Sequence, residues 1–503
     1  MPSNSKSRPN SPASESATRN ELYALAKAHG IEGRSKMGKR ELQDALAAPR
    51  APQVGSRFAQ FQALAEAVAR GELVMLPRHL TGNDRRQHVR QTLREDHQNR
   101  IAEQAEDMEV KFDKLAGSIF SFFRGTALLF YRDMAGEDAW MPTVLTLGDV
   151  HPKNFGVMPN ANNVPIFGVN DFDEACYAPF TWDLKRGSVG FVLAAEEVGG
   201  YKRKRQLKIA RRFIRGYVEG IRGFADSSAE RDHERRLDNA PKVIRKLIKG
   251  ALKDRADWLA DDYLDEFKRG FRYSDKLLPI SSRREEFQEM IDRWLTENAI
   301  VPPARAGNLR VKDVAIRKGA GTASLGLSRY YVLIEGLNQD GTDDLIIEFK
   351  KARRSAVAGL EPPTPYNAPG KGERIVHAQG VQLVRGDLFY GHTQFEGSSF
   401  MSRERAPFRD DIDLEELSKG EWKRYAEICG RSLAHAHALS DEIGQVGHDI
   451  EPQILKSIAP EELFIDDILR FAGEAADRLR RDHTTFQREH ALGAFRRTDV
   501  VYV

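Results

Sequence analysis

Cysteine is scarce in this sequence. Of 503 residues only Cys176 and Cys429 are cysteines, and they lie far apart and outside any Cys-x-x-Cys pair. This spacing argues against a disulfide framework and a zinc site, and it fits the reducing cytoplasm. The sequence also lacks a run of about 18 uncharged apolar residues, and its polar N-terminus has no signal-peptide core. We therefore expect a cytoplasmic protein without a membrane span.

A large excess of charge is missing as well. The chain has 77 Lys and Arg against 74 Asp and Glu, which gives a formal net charge of +3. This balance excludes a chain-wide basic field for nucleic acid, although local basic patches are still compatible with it. At roughly 150 residues per domain, the length predicts two to four structural units.

The N-terminal region divides into a tail and a small helical module. Residues 1–17 are rich in Ser, Asn and Pro and are predicted to be disordered. In residues 18–48, Thr18 and Glu21 form a capping-box pattern, Gly30 ends the first helix, and a second helix follows a basic turn. The amino-acid sequence of this helix–turn–helix segment resembles nucleic-acid-binding modules of the SAP and Rho N-terminal type. The alternative is a helical hairpin that docks on the main domain or on a protein partner.

The rest of the chain alternates between helical and strand-like segments. Residues 55–310 are predicted to be mainly helical, with two short strands around a loop in residues 143–175. Residues 311–413 are predicted to be rich in β-strands, and residues 414–503 are predicted to be helical. Arg124 lies in an otherwise apolar helix, so it needs a partner. That partner would be a carboxylate of a functional site or of a structural ion pair.

Two acidic motifs contain the candidate catalytic and metal-binding residues. In GDVHPKN, Asp149 and Asn154 are five residues apart in a loop after a strand. In NDFDEA, Asp171 and Asp173 follow the next strand. Such oxygen ligands suit Mg²⁺, which usually completes its shell with phosphates and water, so phosphoryl or nucleotidyl chemistry is indicated. Asp149, free of the metal, would then accept a proton from an attacking hydroxyl. The alternative is that these residues only form turns.

These motifs resemble known families. GDVHPKNFG is similar to the catalytic loop G-D-x-H-x-x-N of aminoglycoside- and choline-kinase-like proteins. Together with RGTALLFYRDMA, NDFDEACYAPFTWDLKR and LIIEFKKA, it resembles the bacterial family of domain of unknown function 2252 (DUF2252), from about residue 60 to the C-terminus. The resemblance implies a role for each matching residue: Asp149 as the catalytic base, Asn154 and Asp171 as metal ligands, Asp173 as a second carboxylate ligand, Asp183 as the buried residue that holds the catalytic loop, and His151 as a packing residue.

The order of the motifs is reversed relative to ordinary kinases. There the Gly-rich loop and strand lysine precede the catalytic loop, whereas here the candidates follow it. The late segment GRSLAHAHALS resembles the helix that normally comes just before the catalytic loop. We therefore expect an α+β, protein-kinase-like fold that is circularly permuted. Its helical catalytic lobe comes first, its β-rich nucleotide lobe comes second, and the C-terminal helices complete the catalytic lobe.

The nucleotide lobe offers a less regular set of candidates. Its glycine-rich turn would supply Gly319, Gly321 and Gly326, and Lys350 would bind phosphate. Lys351 is the neighbouring alternative on the other face of the strand, and Glu373 would be the carboxylate partner of Lys350. Glu348 stands where kinases have a small alanine, which predicts a more polar roof over adenine. The alternatives are a plain β-turn and a solvated lysine.

The sequence therefore predicts a Mg²⁺- and ATP-dependent phosphotransferase for an acceptor that it does not identify. Three alternatives stay open: AMP transfer on the same scaffold, a catalytically inactive nucleotide-binding regulator, and a metal-dependent nuclease or phosphodiesterase. The nuclease would use Asp149, Asp171 and Asp173, with residues 18–48 bound to nucleic acid.

Overall fold

The computed structural model describes residues 17–28, 33–47, 57–72, 74–319, 326–366, 370–442 and 444–496. Two compact units are present, Met1–Gln60 and Phe61–Val503. The predicted boundaries at residues 310 and 413 fall inside the second unit and stay predictions. The mixed helix-and-strand class is confirmed, since the chain combines long helices with antiparallel sheets.

The first unit contains the two predicted helices, α1 (Arg19–Ala28) and α2 (Lys39–Ala47). The capping box is confirmed, because the Thr18 amide donates to the Glu21 carboxylate at 2.7 Å and the Glu21 amide donates to Thr18 Oγ1 at 3.4 Å. Leu22, Ala26 and Leu42 form the small buried core of this unit. The predicted stop at Gly30 lies outside the described residues.

Helices and short strands make up the first half of the second unit. In chain order they are α3 (Arg57–Ala69, which begins just before the unit boundary), α4 (Gly82–Glu103), α5 (Ala105–Gly117), α6 (Ile119–Gly125), α7 (Ala127–Arg132), β1 (Thr143–Thr146), β2 (Phe155–Pro159), β3 (Pro165–Val169), β4 (Cys176–Pro179), α8 (Phe180–Glu197), α9 (Arg203–Ala225), α10 (Lys242–Ala251) and α11 (Arg255–Asp262).

A larger sheet and the C-terminal helices follow. Their elements are β5 (Leu277–Pro279), α12 (Arg284–Glu297), β6 (Val311–Arg317), β7 (Arg329–Ile334), β8 (Leu345–Lys351), α13 (Gly372–Gln382), β9 (Gly391–Phe395), β10 (Ser398–Glu404), β11 (Asp410–Asp411), α14 (Lys419–Ala438), α15 (Glu451–Ser457) and α16 (Glu461–Ala491).

The largest sheet has six antiparallel strands in the order β5-β6-β7-β8-β10-β9. Alternate residues of a strand point to opposite faces. On one face, Val332 and Ile347 pack with Trp294 of α12. On the other face, Ile346 packs with Trp258 of α11. Lys350 shares the face of Ile346, at the far end of β8. Two smaller sheets, β1-β4 and β11-β2-β3, flank the loop of the first acidic motif.

The helical core is built around a close crossing of α9 and α14. Ile209, Phe213 and Tyr217 are fully buried on the apolar face of α9. A Cβ atom added at Gly430 of α14 would lie 2.0 Å from the carbonyl oxygen of Phe213. Glycine therefore lets the two backbones touch. Among the described helices, none is long and apolar enough to cross a membrane.

Replacing Gly430 by Ala should lower the free energy of unfolding by about 1–3 kcal/mol, because the added methyl group overpacks the helix crossing. Gly223 of α9 is the matched control, since a Cβ added there meets nothing within 4 Å. Gly223→Ala should instead stabilise the helix by roughly 0.5–1 kcal/mol. Chemical unfolding followed by circular dichroism measures both. Equal effects of the two substitutions would contradict the crossing.

Candidate active site

The loop of residues 147–154 connects β1 to β2 and carries the first acidic motif. Its start requires glycine, because Gly148 has φ +74° and an added Cβ would lie 2.1 Å from the Glu174 carbonyl oxygen. This close approach brings the loop against the segment that carries the second motif. Only a residue without a side chain fits between the two backbones.

Asp183, in the first turn of α8, holds this loop. Its buried carboxylate accepts hydrogen bonds from the amides of Leu147 (2.6 Å) and Gly148 (2.9 Å). His437 Nε2 lies 3.1 Å from the same carboxylate, and Tyr217 contacts the other nitrogen of His437 at 2.9 Å. Asp183 therefore makes the loop contact that the resemblance implies, and α9 and α14 support it.

Asp149 lies in the loop with one carboxylate oxygen engaged. Oδ1 accepts hydrogen bonds from Nε (2.8 Å) and Nη2 (2.6 Å) of Arg186. Arg186 is fully buried, and its guanidinium lies 4.2 Å from the ring centroid of Phe123. Burial raises the pKa of Asp149, and Arg186 acts in the opposite direction. The net result is a carboxylate that is more basic than an exposed aspartate.

Arg124 is placed differently from the expectation that it anchors a carboxylate. Its Nε lies 3.2 Å from Nε2 of His151, so its neighbour is an imidazole. The arginine that anchors Asp149 is Arg186, which sequence reasoning missed. A signal was available, because Arg186 follows Asp183 by three residues on a helix, and residues at that spacing share a face.

Asn154 and Asp171 come together because β2 and β3 pair. Phe155 is opposite Val169 in this hairpin, and the Asn170 amide donates to the Asn154 carbonyl oxygen at 3.2 Å. Nδ2 of Asn154 donates to the Asp149 carbonyl oxygen at 2.6 Å, which leaves Oδ1 as the amide's ligand atom. The charge of Asp171 also raises the pKa of Asp149, so the two carboxylates are electrostatic neighbours.

Asp173 and Lys350 form an ion pair next to Asp171. The Asp173 amide donates to Oδ1 of Asp171 at 3.3 Å. Burial raises the pKa of Asp171, and the charge of Asp173 adds to this effect. For Asp173 burial acts in the same direction, but the Lys350 ammonium outweighs it and lowers the pKa. Asp173 is therefore the more acidic of the two aspartates.

Lys350 faces the acidic motif, and its neighbour Lys351 points to the other face of β8. Glu348, two residues earlier on the Lys350 face, is buried between Arg329 (2.6 Å) and Arg403 (2.5 Å). The face of the sheet over the acidic motif is thus strongly charged, and the more polar roof over adenine stays a prediction.

The predicted pairing of Lys350 with Glu373 is wrong. Glu373 is exposed on α13, 3.9 Å from His392 Nδ1, while Lys350 contacts Asp173. The residue of α13 that reaches the site is Arg374, which donates to the Asp173 carbonyl oxygen at 2.7 Å. α13 is therefore oriented so that Arg374, the residue after Glu373, points into the site.

The glycine-rich turn is described only at its ends. Gly319 and Gly326 have φ +68° and +77°, which glycine adopts without strain. Both lie in the connection between β6 and β7. Gly321 lies outside the described residues.

The described side chains at this site fit a hard cation and an anionic ligand. Asp171 and the free oxygen of Asn154 are oxygen ligands of the kind that Mg²⁺ takes. Lys350 supplies a positive charge close by, and Asp149 supplies a carboxylate whose Oδ2 does not contact Arg186.

Comparison with known proteins identifies a family. A family model described as "Uncharacterized protein conserved in bacteria (DUF2252)" matches residues 103–489, which include both acidic motifs and Lys350. No curated protein and no solved structure matches the chain. The family match covers well over half of the sequence, and the chain therefore belongs to the DUF2252 family.

Proposed function

We propose that the protein is a Mg²⁺-dependent, ATP-using phosphotransferase with a circularly permuted, protein-kinase-like fold. The observation that carries this proposal is the contact of Lys350 with Asp173, beside Asp171 and the loop of Asp149 and Asn154. A lysine, oxygen ligands for a metal and a candidate base then share one site. These are the groups that kinases use to bind ATP and transfer its phosphate.

The order of the elements supports the permutation. The glycine-rich segment lies in sequence between β6 and β7, and the next strand, β8, carries Lys350. Kinases place their Gly-rich loop and strand lysine in the same succession. The helix that supports the catalytic loop here is α14, since Tyr425 donates to the Pro152 carbonyl oxygen at 2.6 Å. Because α14 lies near the C-terminus, the proposed kinase-like elements occur in a circularly permuted order along the chain.

In the proposed mechanism, Lys350 exchanges its contact with Asp173 for the phosphates of ATP. Asp171 and Asn154 would hold Mg²⁺, which would supply positive charge to neutralise the phosphates. Asp149 orients the acceptor hydroxyl and accepts its proton at Oδ2, because Arg186 occupies Oδ1. Arg186 thereby fixes which oxygen is available. Positioning and charge neutralisation supply most of the rate enhancement.

Binding of Mg-ATP tests the nucleotide half. Mg-ATP should raise the thermal unfolding midpoint of the wild type, because a ligand that binds only the folded state stabilises it. Lys350→Met should weaken binding by about tenfold or more, since it removes a charged partner of phosphate. Lys351→Met is the matched control on the opposite face and should bind as the wild type does. Loss of binding in both variants, or no shift in the wild type, would refute the site.

The pH dependence of the rate tests the role of Asp149. Because this carboxylate must be ionised to accept a proton, the rate falls as pH drops through its pKa. Arg186 lowers that pKa, so Arg186→Met should move the acid limb to higher pH. Arg124→Met is the control, since Arg124 contacts His151 and contributes less to the pKa of Asp149. Identical acid limbs in wild type and Arg186→Met would contradict the assignment.

Labelled ATP distinguishes phosphoryl transfer from AMP transfer. The protein is incubated with Mg²⁺, a cell extract as the acceptor source, and ATP labelled at either the α or the γ phosphorus. Only the γ label should move, and Asp149→Asn should reduce its transfer by about 10²–10⁴-fold. Transfer of the α label alone would replace the phosphotransferase with an AMP-transferring enzyme.

A further inference from the structure

A second acidic site lies away from the residues considered so far. A cavity of about 570 Å³ opens where the C-terminal end of α9 meets the loop that joins α14 to α15. Six carboxylates line the described part of its wall: Asp226, Glu230, Asp441, Glu442, Asp449 and Glu451. Arg231 and His448 are the basic residues of that same described lining. The cavity is therefore strongly negative.

Three of these carboxylates converge. One oxygen from each of Asp441, Asp449 and Glu451 lies within 4.8 Å of the other two. Asp441 also accepts a hydrogen bond from the Ile450 amide at 2.7 Å, which closes the loop around the cluster. Burial raises the pKa of Glu451 to about 8, and contact with Asp449 adds to this effect. The negative charges of these carboxylates therefore repel one another.

Glu230 provides an independent sign of a ligand site. Its side chain is 5 % exposed, and its Oε2 has no hydrogen-bond partner among the described residues. The other oxygen lies 4.0 Å from Arg231 Nε, beyond hydrogen-bond distance. Arg231 is engaged with Glu442 at 2.7 Å. A buried carboxylate oxygen without a partner is costly, and in proteins such groups are paired or coordinate metals.

We propose that this cavity binds a divalent cation through Asp441, Asp449 and Glu451, with Glu230 as a fourth carboxylate, and that the cation is Ca²⁺. Carboxylate oxygens are ligands of hard cations. Mg²⁺ usually keeps several waters and binds through one or two carboxylates together with substrate phosphates, whereas Ca²⁺ accepts several carboxylates in flexible geometry. A cavity with three converging carboxylates and the buried Glu230 on its wall therefore suits Ca²⁺.

Calorimetric titration of the full-length, chelator-treated protein with CaCl₂ tests this site. The titration is run in the Asp171→Asn protein as well as the wild type, so that metal binding at the proposed ATP site is removed. The Asp171→Asn protein should show one saturable Ca²⁺ site, with weaker binding of MgCl₂, and the wild type should bind Ca²⁺ at this site with the same affinity. Absence of saturable Ca²⁺ binding in Asp171→Asn overturns the proposal. Equal or tighter Mg²⁺ binding overturns the assignment to calcium. Neither result bears on the phosphotransferase, which is tested separately with ATP.

The double variant Asp449→Asn/Glu451→Gln should bind Ca²⁺ at least about tenfold more weakly, because ligand charge sets the affinity of such sites. The matched control is Asp413→Asn/Glu415→Gln, which changes an exposed pair with the same spacing and should bind as the wild type does. Unchanged affinity in the first variant overturns the proposal.

If the double variant does not fold, the single variant Asp449→Asn replaces it, because Asp449 is the exposed member of the cluster. Its Ca²⁺ affinity should fall below that of the wild type, since ligand charge sets the affinity of such sites. Unchanged affinity in Asp449→Asn overturns the assignment to these residues.

Discussion

The site depends on the hydrogen bonds that the Asp183 carboxylate accepts from the loop backbone. This carboxylate is fully buried and accepts two amide hydrogen bonds at the start of the loop of residues 147–154. Hydrogen bonds to a charged acceptor contribute about 1.5–3 kcal/mol each, and their partners here are adjacent amides of one loop. With His437 and Tyr217 behind it, this carboxylate fixes the loop to α8, α9 and α14. The position of Asp149 follows from that attachment.

Charge pairing then gives the acidic residues different properties. Asp149 is held by Arg186 on one oxygen, and Asp173 is held ionised by Lys350. Asp171 lies between these pairs, and burial together with the charge of Asp173 raises its pKa. A cation would relieve that unfavourable charge. The same reasoning applies to the distant cluster around Glu451, where carboxylates outnumber their basic partners in the described lining.

Local patterns in the sequence predicted the parts of the site that lie within one segment. Asp149 and Asn154 share a loop, Asp171 and Asp173 share a turn, and the family match and the mixed helix-and-strand class are confirmed. Contacts between distant segments were harder to predict. The partner of Lys350 depends on the rotation of α13, which brings Arg374 inward and leaves Glu373 exposed. The cavity of acidic residues joins two loops about 200 residues apart in sequence, so no short motif contains it.

The most direct measurement of the central claim is a crystal structure of the full chain with Mg²⁺ and a non-hydrolysable ATP analogue. The phosphotransferase account predicts that Asp171 and Asn154 hold the metal, and that Lys350 has left Asp173 for the phosphates. It also predicts that Oδ2 of Asp149 faces the γ phosphorus from the acceptor side. A nucleotide bound elsewhere, or a site in which Lys350 keeps its contact with Asp173 while the analogue is bound, would contradict the account.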